Sequence, residues 1–300
     1  MAWAAPGVGK TMLSLTLALM VAGGGEVAGW TAPKPRKVLI VDGEMRGEGI
    51  AERLTLLVDS VSGIDRETAL NNIEIRARQL QKPGTWFYDI GDPQTQRELS
   101  AYICVAGIEF IILDNVTTLT DTLGDENSAD AIKPVLTFLM DLKTTNVGVL
   151  LIHHSNKGGN SYRGSTALMT TFEVAMGLNK PQEAPMGQAS FSLEFTKFRA
   201  KSNQLLAPRV FTLDGSKWHV SEDEGNEALR PVRAIQSGRF ATQQDAGLSI
   251  GIQDKTKVSR LLAQAYAKGL AKQHEIKRVS RRLRRVLRKR SMTMRRFKPV

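Results

Sequence analysis

Apolar residues come in two rhythms along this chain. Met12-Leu13-Ser14-Leu15-Thr16-Leu17-Ala18-Leu19 predicts a buried helix after a glycine-rich turn, and the triple glycine at 23–25 with the Pro33-Lys34-Pro35 punctuation predicts a loop. Short, wholly apolar runs then alternate with helical stretches. Lys37 to Gly43 reads as a buried strand, 48–60 as a helix, Ile73 to Ala77 as a short strand, and Gln94 to Val105 as a second helix. Phe110-Ile111-Ile112-Leu113 predicts a strand covered on both faces, followed by a polar loop over 119–130, a helix from Ala131 to Lys143, and a strand from Gly148 to Ile152. Phe172 to Leu178, Phe191 to Arg199, Arg209 to Leu213 and Lys217 to Val220 follow as consecutive strands, the second with a period of two. Strand–helix alternation first and strands in succession later predict an α/β fold with a mixed, mostly parallel sheet flanked by helices.

A change of composition near residue 221 ends this pattern. Residues 221–228 form an acidic linker, and 229–237, 242–249 and 256–268 read as three short helices with Ala246, Leu248, Ile250, Ile252, Val258, Leu261, Leu262 and Ala265 facing inward. The stretch from Thr242 to Leu262 looks like a helix-turn-helix of the winged type, with Lys255, Lys257, Ser259 and Arg260 directed at a major groove; protein docking is the alternative use of such a unit. The expected organisation is an α/β domain over 1–220, a small all-α module over 229–273, and a basic amphipathic tail over 274–300 whose apolar stripe is Ile276, Val279, Leu283, Val286 and Leu287.

Charge sharpens the division. The 300 residues carry a net charge of +11, yet residues 255–300 hold 17 basic residues against one acidic, and the remainder holds 24 basic against 29 acidic, a net of −5. A polyanion partner accounts for that asymmetry, and DNA is the expected one; a membrane surface is disfavoured because no Trp or Phe lies on the tail's apolar stripe. The 42% of hydrophobic residues suffice for a sizeable core, and one cysteine, Cys104, excludes an intrachain disulfide framework. With no signal peptide and no eighteen-residue apolar run, the expectation is a cytoplasmic protein with no membrane partner.

The candidate chemistry opens the chain. Ala5-Pro6-Gly7-Val8-Gly9-Lys10-Thr11-Met12 reads as a phosphate-binding loop running into a helix: backbone amides cradle phosphate, Lys10 reaches the outer phosphates, and the Thr11 hydroxyl can ligate Mg²⁺. Ala4 stands where the first glycine of the motif is usual, and only Met1 to Ala4 remain to form the preceding strand, which is either a stub or truncated. Asp114, closing an apolar strand, is the expected second half of a magnesium–nucleotide site. Glu44 follows the carboxyl end of another strand, where ligands of open α/β sheets bind. His153 and His154 invite a zinc reading, but neighbours on a strand face opposite ways and no third ligand lies near in sequence. One of them, with His154 favoured, is expected to touch the terminal phosphate.

These motifs, with Val41-Asp42-Gly43-Glu44-Met45, Leu151-Ile152-His153-His154-Ser155, Arg163-Gly164-Ser165 and Lys197-Phe198-Arg199, occur in the order seen in RecA-like hexameric ATPases, and the chain most resembles the plasmid and phage replicative helicases of the RepA-like AAA group over residues 4–215. The resemblance implies ATP and Mg²⁺ as cofactors, Glu44 polarising the attacking water, His154 sensing the γ-phosphate, and Lys197 with Arg199 reaching a neighbouring subunit's nucleotide in a homo-oligomeric, hexameric ring. It further implies DNA and replication proteins as partners, with a recombination-type remodelling ATPase or a DNA-binding regulator with a degenerate nucleotide site as alternatives. The acidic loop after Asp114, with Asp121, Asp125 and Glu126, departs from the basic loop of that group.

Overall fold

The computed structural model describes residues 1–82, 84–124, 128–156, 161–181, 187–201, 203–222, 228–240, 242–267 and 271–283. It divides into two compact units, one made of Met1–Leu205 with Arg209–Ser221 and the other of Leu206–Pro208 with the chain from Glu222 onward. Asp125 and Glu126 of the expected acidic loop, the Lys157-Gly158-Gly159 turn, residues 223–227 of the linker, and Val286 and Leu287 of the tail lie outside the described residues.

In chain order the first unit runs β1 (Ala2–Ala4), α1 (Lys10–Gly23), β2 (Glu26–Val27), β3 (Trp30–Thr31), β4 (Val38–Asp42), α2 (Gly47–Leu57), α3 (Arg66–Asn71), β5 (Ile73–Ala77), α4 (Pro93–Ala106), β6 (Phe110–Asp114), α5 (Ala129–Thr144), β7 (Gly148–His154), α6 (Ala167–Thr171), β8 (Val174–Asn179), β9 (Ser190–Phe198), β10 (Arg209–Asp214) and β11 (Lys217–Glu222). The main sheet has the order β11-β10-β9-β8-β1-β7-β6-β4-β5. The pairs from β5 to β8 are parallel, whereas β9 pairs antiparallel with both β8 and β10. This is the expected RecA-like mixed sheet.

Side-chain alternation along the strands fills a core on each face. Val38, Ile40, Ile112 and Ile152 join Leu15, Leu19, Ile50 and Leu54 of α1 and α2 on one side. Leu39, Val41, Ile111 and Leu151 join Leu99, Val135, Phe138 and Leu139 of α4 and α5 on the other. The helices end where the residues dictate. Asp92 caps α4 by accepting from the Thr95 amide at 2.7 Å, and Gly24 and Gly107 close α1 and α4 in the left-handed region.

The first strand, three residues long, is a central one. β1 lies between β7 and β8, with Ala2, Trp3 and Ala4 opposite Ile152, His153 and His154, and it is wholly buried. Trp3 presses on β8 at Gly177, where an added Cβ would come within 2.6 Å of the indole; glycine is what lets β8 approach. The sequence reading did not anticipate the β2–β3 ribbon, α3 or α6, all too short to carry a period.

The second unit has its own core. α7 (Leu229–Gln236), α8 (Gln243–Ser249) and α9 (Lys255–Ala267) enclose Leu229, Val232, Ile235, Ala246, Ile252, Val258, Leu261 and Leu262, and Ile276 of a further helical stretch, 273–283, completes it. Leu248 departs from expectation: it points outward and is 52% exposed, because the α8 positions that meet α9 are Ala246 and Gly247. No helix among the described residues is long and apolar enough to cross a membrane.

Candidate functional site

Parallel strands place their carboxyl ends on one edge of the sheet, and that edge collects the chemistry. The phosphate-binding loop follows β1, Glu44 follows β4, Asp114 ends β6, and His154 ends β7. Strand register fixes the neighbours, with Asp42 opposite Asp114 and Ala4 opposite His154. A cleft of about 960 Å³ opens there, lined by residues 6–12, Glu44 and His154, and walled by Arg53 and Leu56 of α2 and by Lys180, Gln188 and Ser190 at the β8–β9 end.

The loop takes its shape from two glycines in the left-handed half of backbone space, Gly7 at φ +73° and Gly9 at φ +126°. Gly9 is constrained twice, since a Cβ there would lie 2.6 Å from the Phe191 ring. Lys10, the first residue of α1, is buried, and its ammonium donates to the carbonyls of Ala4 and Ala5, both at 3.1 Å. Burial lowers its pKa, against the pull of Asp114 and Glu44. Thr11 lies at the helix start beside it.

The acidic side of the cleft is built by β4 and β6. Asp42 accepts from the amides of Glu44 at 2.7 Å and Met45 at 2.6 Å, folding the chain back so that Glu44 stands over the cleft. The Gly43 amide donates to the Asp114 carbonyl at 2.7 Å, and the Gln79 side chain donates to the Glu44 carbonyl at 2.7 Å, so the backbone on both sides of Glu44 is held. The Glu44 carboxylate meets His154 Nε2 at 3.3 Å. Burial, with Asp42 and Glu44 nearby, pushes the Asp114 carboxyl up to about 7 despite Lys10. Such crowding of carboxyls is relieved by a divalent cation, and the available donors are hard oxygens: the Asp114 carboxylate and the Thr11 hydroxyl. Among the described residues no group of three or more His, Cys, Asp or Glu is placed to hold a metal ion.

The two histidines part as neighbours on a strand must. His154 enters the cleft, whereas His153 turns into the opposite core beside Tyr162, with Nδ1 buried and unpartnered. Burial drives the His153 pKa down to about 4, only partly offset by a hydrogen bond to the Arg163 backbone. The unfolded chain, titrating near 6.5, therefore binds a proton between pH 6.5 and 4 that the native state refuses. His153 alone costs up to about 3 kcal/mol of stability as pH drops through that window, while the raised Asp114 carboxyl works in the opposite direction. The His153 share is the difference between the unaltered chain and His153→Gln in urea midpoints at pH 7.5 and 4.5, and the variant should gain on the unaltered chain as pH falls.

Lys197 and Arg199 lie elsewhere. β9 runs antiparallel to β8, with Ser192 opposite Asn179 at the phosphate-loop edge and Phe198 opposite Val174 at the other. The pair is thus on the order of 20 Å from its own loop along the strand. Lys197 donates to the Met169 and Thr170 carbonyls at the end of α6, and Arg199 donates to the Thr170 carbonyl at 2.9 Å and to Glu173 at 3.3 Å. The structure also brings Arg53, Lys180, Gln188 and Ser190 to the cleft, for which the sequence carries no signal. Asp42, named above only as part of a motif, is a buried acid closing an apolar strand just as Asp114 is.

A phosphate loop at the end of a central parallel strand, with buried acids closing β4 and β6 of the same sheet, defines a RecA-like P-loop ATPase. The chain belongs to the AAA domain family, whose model matches residues 1–160. Among solved structures, a KaiC-like protein from the hyperthermophilic archaeon Pyrococcus horikoshii is similar in fold, with a TM-score of 0.51 at 14% sequence identity over 73% of this chain and 87% of that one. No curated protein matches the chain in sequence.

Proposed function

We propose that this protein hydrolyses ATP with Mg²⁺ in a homo-oligomer and couples the reaction to DNA, as a replicative helicase or helicase-like motor. The observation that carries the reading is the joint placement of Lys10, Thr11, Glu44 and His154 around one cleft, with the Asp114 carboxylate buried at the end of β6 within electrostatic reach of Lys10, and with Lys197 and Arg199 on the opposite edge of the same sheet. Loop amides and the Lys10 ammonium bind the β- and γ-phosphates, for which Lys10 gives up the Ala4 and Ala5 carbonyls. Asp114 and Thr11 would hold Mg²⁺, which would supply positive charge against that of the phosphates. Glu44 takes the proton of the attacking water as oxygen bonds to the γ-phosphorus and ADP leaves. His154, bonded to Glu44, reports whether the γ-phosphate is present. Lys197 and Arg199 are out of reach of their own cleft and enter a neighbour's, which makes turnover depend on assembly.

ATP turnover measured with and without single- and double-stranded DNA tests the reading. DNA should stimulate hydrolysis, and chelating Mg²⁺ should abolish it. Turnover indifferent to every DNA added would remove the coupling, and strand displacement on a forked duplex separates helicase from remodelling ATPase.

A further inference from the structure

Nothing in the ATP site explains how the second unit is built. α8 and α9 cross so closely that a Cβ on Gly247 would sit 2.5 Å from Val258 and 3.1 Å from the Ile252 carbonyl. The turn between them passes through Gly251 at φ +78°, and Arg230 of α7 clamps it by donating to the Ile250 carbonyl at 2.6 Å. The pair is rigid as a result. It presents one face of α9, where Lys255, Thr256, Ser259, Arg260 and Gln264 are exposed and no acid occurs between 255 and 267. Beside the start of α9 lies a second cavity, of about 480 Å³, lined by Thr242, Gln244, Lys255, Lys277, Ser280 and Arg281. None of its three cations forms an ion pair with a carboxylate among the described residues.

We infer that this unit is a duplex-DNA reader: α9 lies in the major groove with Ser259, Arg260 and Gln264 on base edges, and the basic cavity seats a backbone phosphate that fixes the helix in register. The exposed face is one helix wide and carries the donors and acceptors that base edges require, and a major groove about 12 Å wide admits one helix. It exposes no aromatic ring, since Tyr266 is half-buried, and single-strand binding surfaces rely on such rings. The cavity's cations sit beside that face, where a duplex reader needs its phosphate contacts. The proposal deepens the DNA-coupled reading, and it gives the motor an address: the reader would bring the ATPase to chosen sites.

The experiment uses the full chain without nucleotide, so that it answers independently of turnover. A pool of random-core duplexes is selected for binding, and the enriched duplex is compared with a scrambled one by fluorescence anisotropy over a salt series. Arg260→Ala should erase about tenfold of the preference for the enriched duplex. Lys277→Ala and Arg281→Ala should weaken both duplexes alike and each flatten the slope of log affinity against log salt by about one, with DNA-independent ATPase unchanged. Enrichment of no sequence, equal affinity for the single strand, or a preference and slope unmoved by these exposed-residue variants would each overturn the inference. DNA-stimulated ATPase that persists in such a result would leave the motor reading standing without this reader.

Discussion

Glu44→Gln is expected to cut ATP turnover by about 10²- to 10⁴-fold, the range over which a general base contributes, while leaving the affinity for Mg²⁺-ATP nearly unchanged. The amide matches the carboxylate in shape and keeps an oxygen to face His154, 3.3 Å away, so the fold back through Asp42 and the bond from Gln79 should survive. What is lost is the capacity to take a proton from water. The two readouts must therefore separate, with binding of a fluorescent ATP analogue retained and phosphate release stopped. Turnover within a few-fold of the unaltered chain would place the base elsewhere, and a parallel loss of binding would make Glu44 a structural residue.

The Glu44 position also shows what a one-dimensional reading can and cannot reach. Gly7, Gly9, Lys10 and Thr11 are legible because phosphate binding is a local job done by consecutive residues, and Asp114 is legible because an acid ending an apolar run has few other uses. Glu44 itself could be placed at a strand end, but not the reason it points into the cleft. That reason is Asp42, which accepts the amides of Glu44 and Met45, together with Gly43, where an added Cβ would lie 2.3 Å from the Thr118 hydroxyl. The Gly43–Thr118 approach joins segments 75 residues apart, and the Asp42 turn, though local, leaves no periodic trace. Arg53, Lys180 and Gln188 come from three elements and meet only because β4 and β8 end on the same edge.

The fold was legible in the same uneven way. Runs such as Phe110 to Leu113 announce a doubly covered strand, and the switch to consecutive strands after residue 172 announces the antiparallel extension. Ala2-Trp3-Ala4 is too short to show a period and is expected as a strand only from the phosphate loop that follows it, yet its neighbours make it the middle of the sheet. Its burial is conferred by β7 and β8 rather than by its own composition. In the second unit the helical spacing placed α7, α8 and α9 within a residue or two, but the inward assignment of Leu248 failed. The contact of α8 with α9 is made through Gly247, a residue that hydrophobic patterning does not count.

Replacing Lys197 and Arg199 together by alanine is expected to lower assembly-dependent ATP turnover by about 10³- to 10⁵-fold, the scale of a charge supplied in trans to phosphoryl transfer. Both side chains are tied to carbonyls at the end of α6, and Arg199 also to Glu173, by contacts that are exposed or partly so, so removing them should leave the fold's stability within about 1 kcal/mol. The decisive form of the experiment mixes two inactive chains. The Lys197→Ala/Arg199→Ala chain keeps an intact cleft, and a Lys10→Ala chain keeps an intact pair. Around a ring of equal parts, about one interface in four unites the intact halves, and turnover should recover to about that fraction if interfaces act independently. Recovery requires that the pair serve another chain's nucleotide. Since the strand direction of β9 carries it to the far edge of its own sheet, no recovery would mean that the two residues act on this chain's structure alone, and that hydrolysis needs no neighbour.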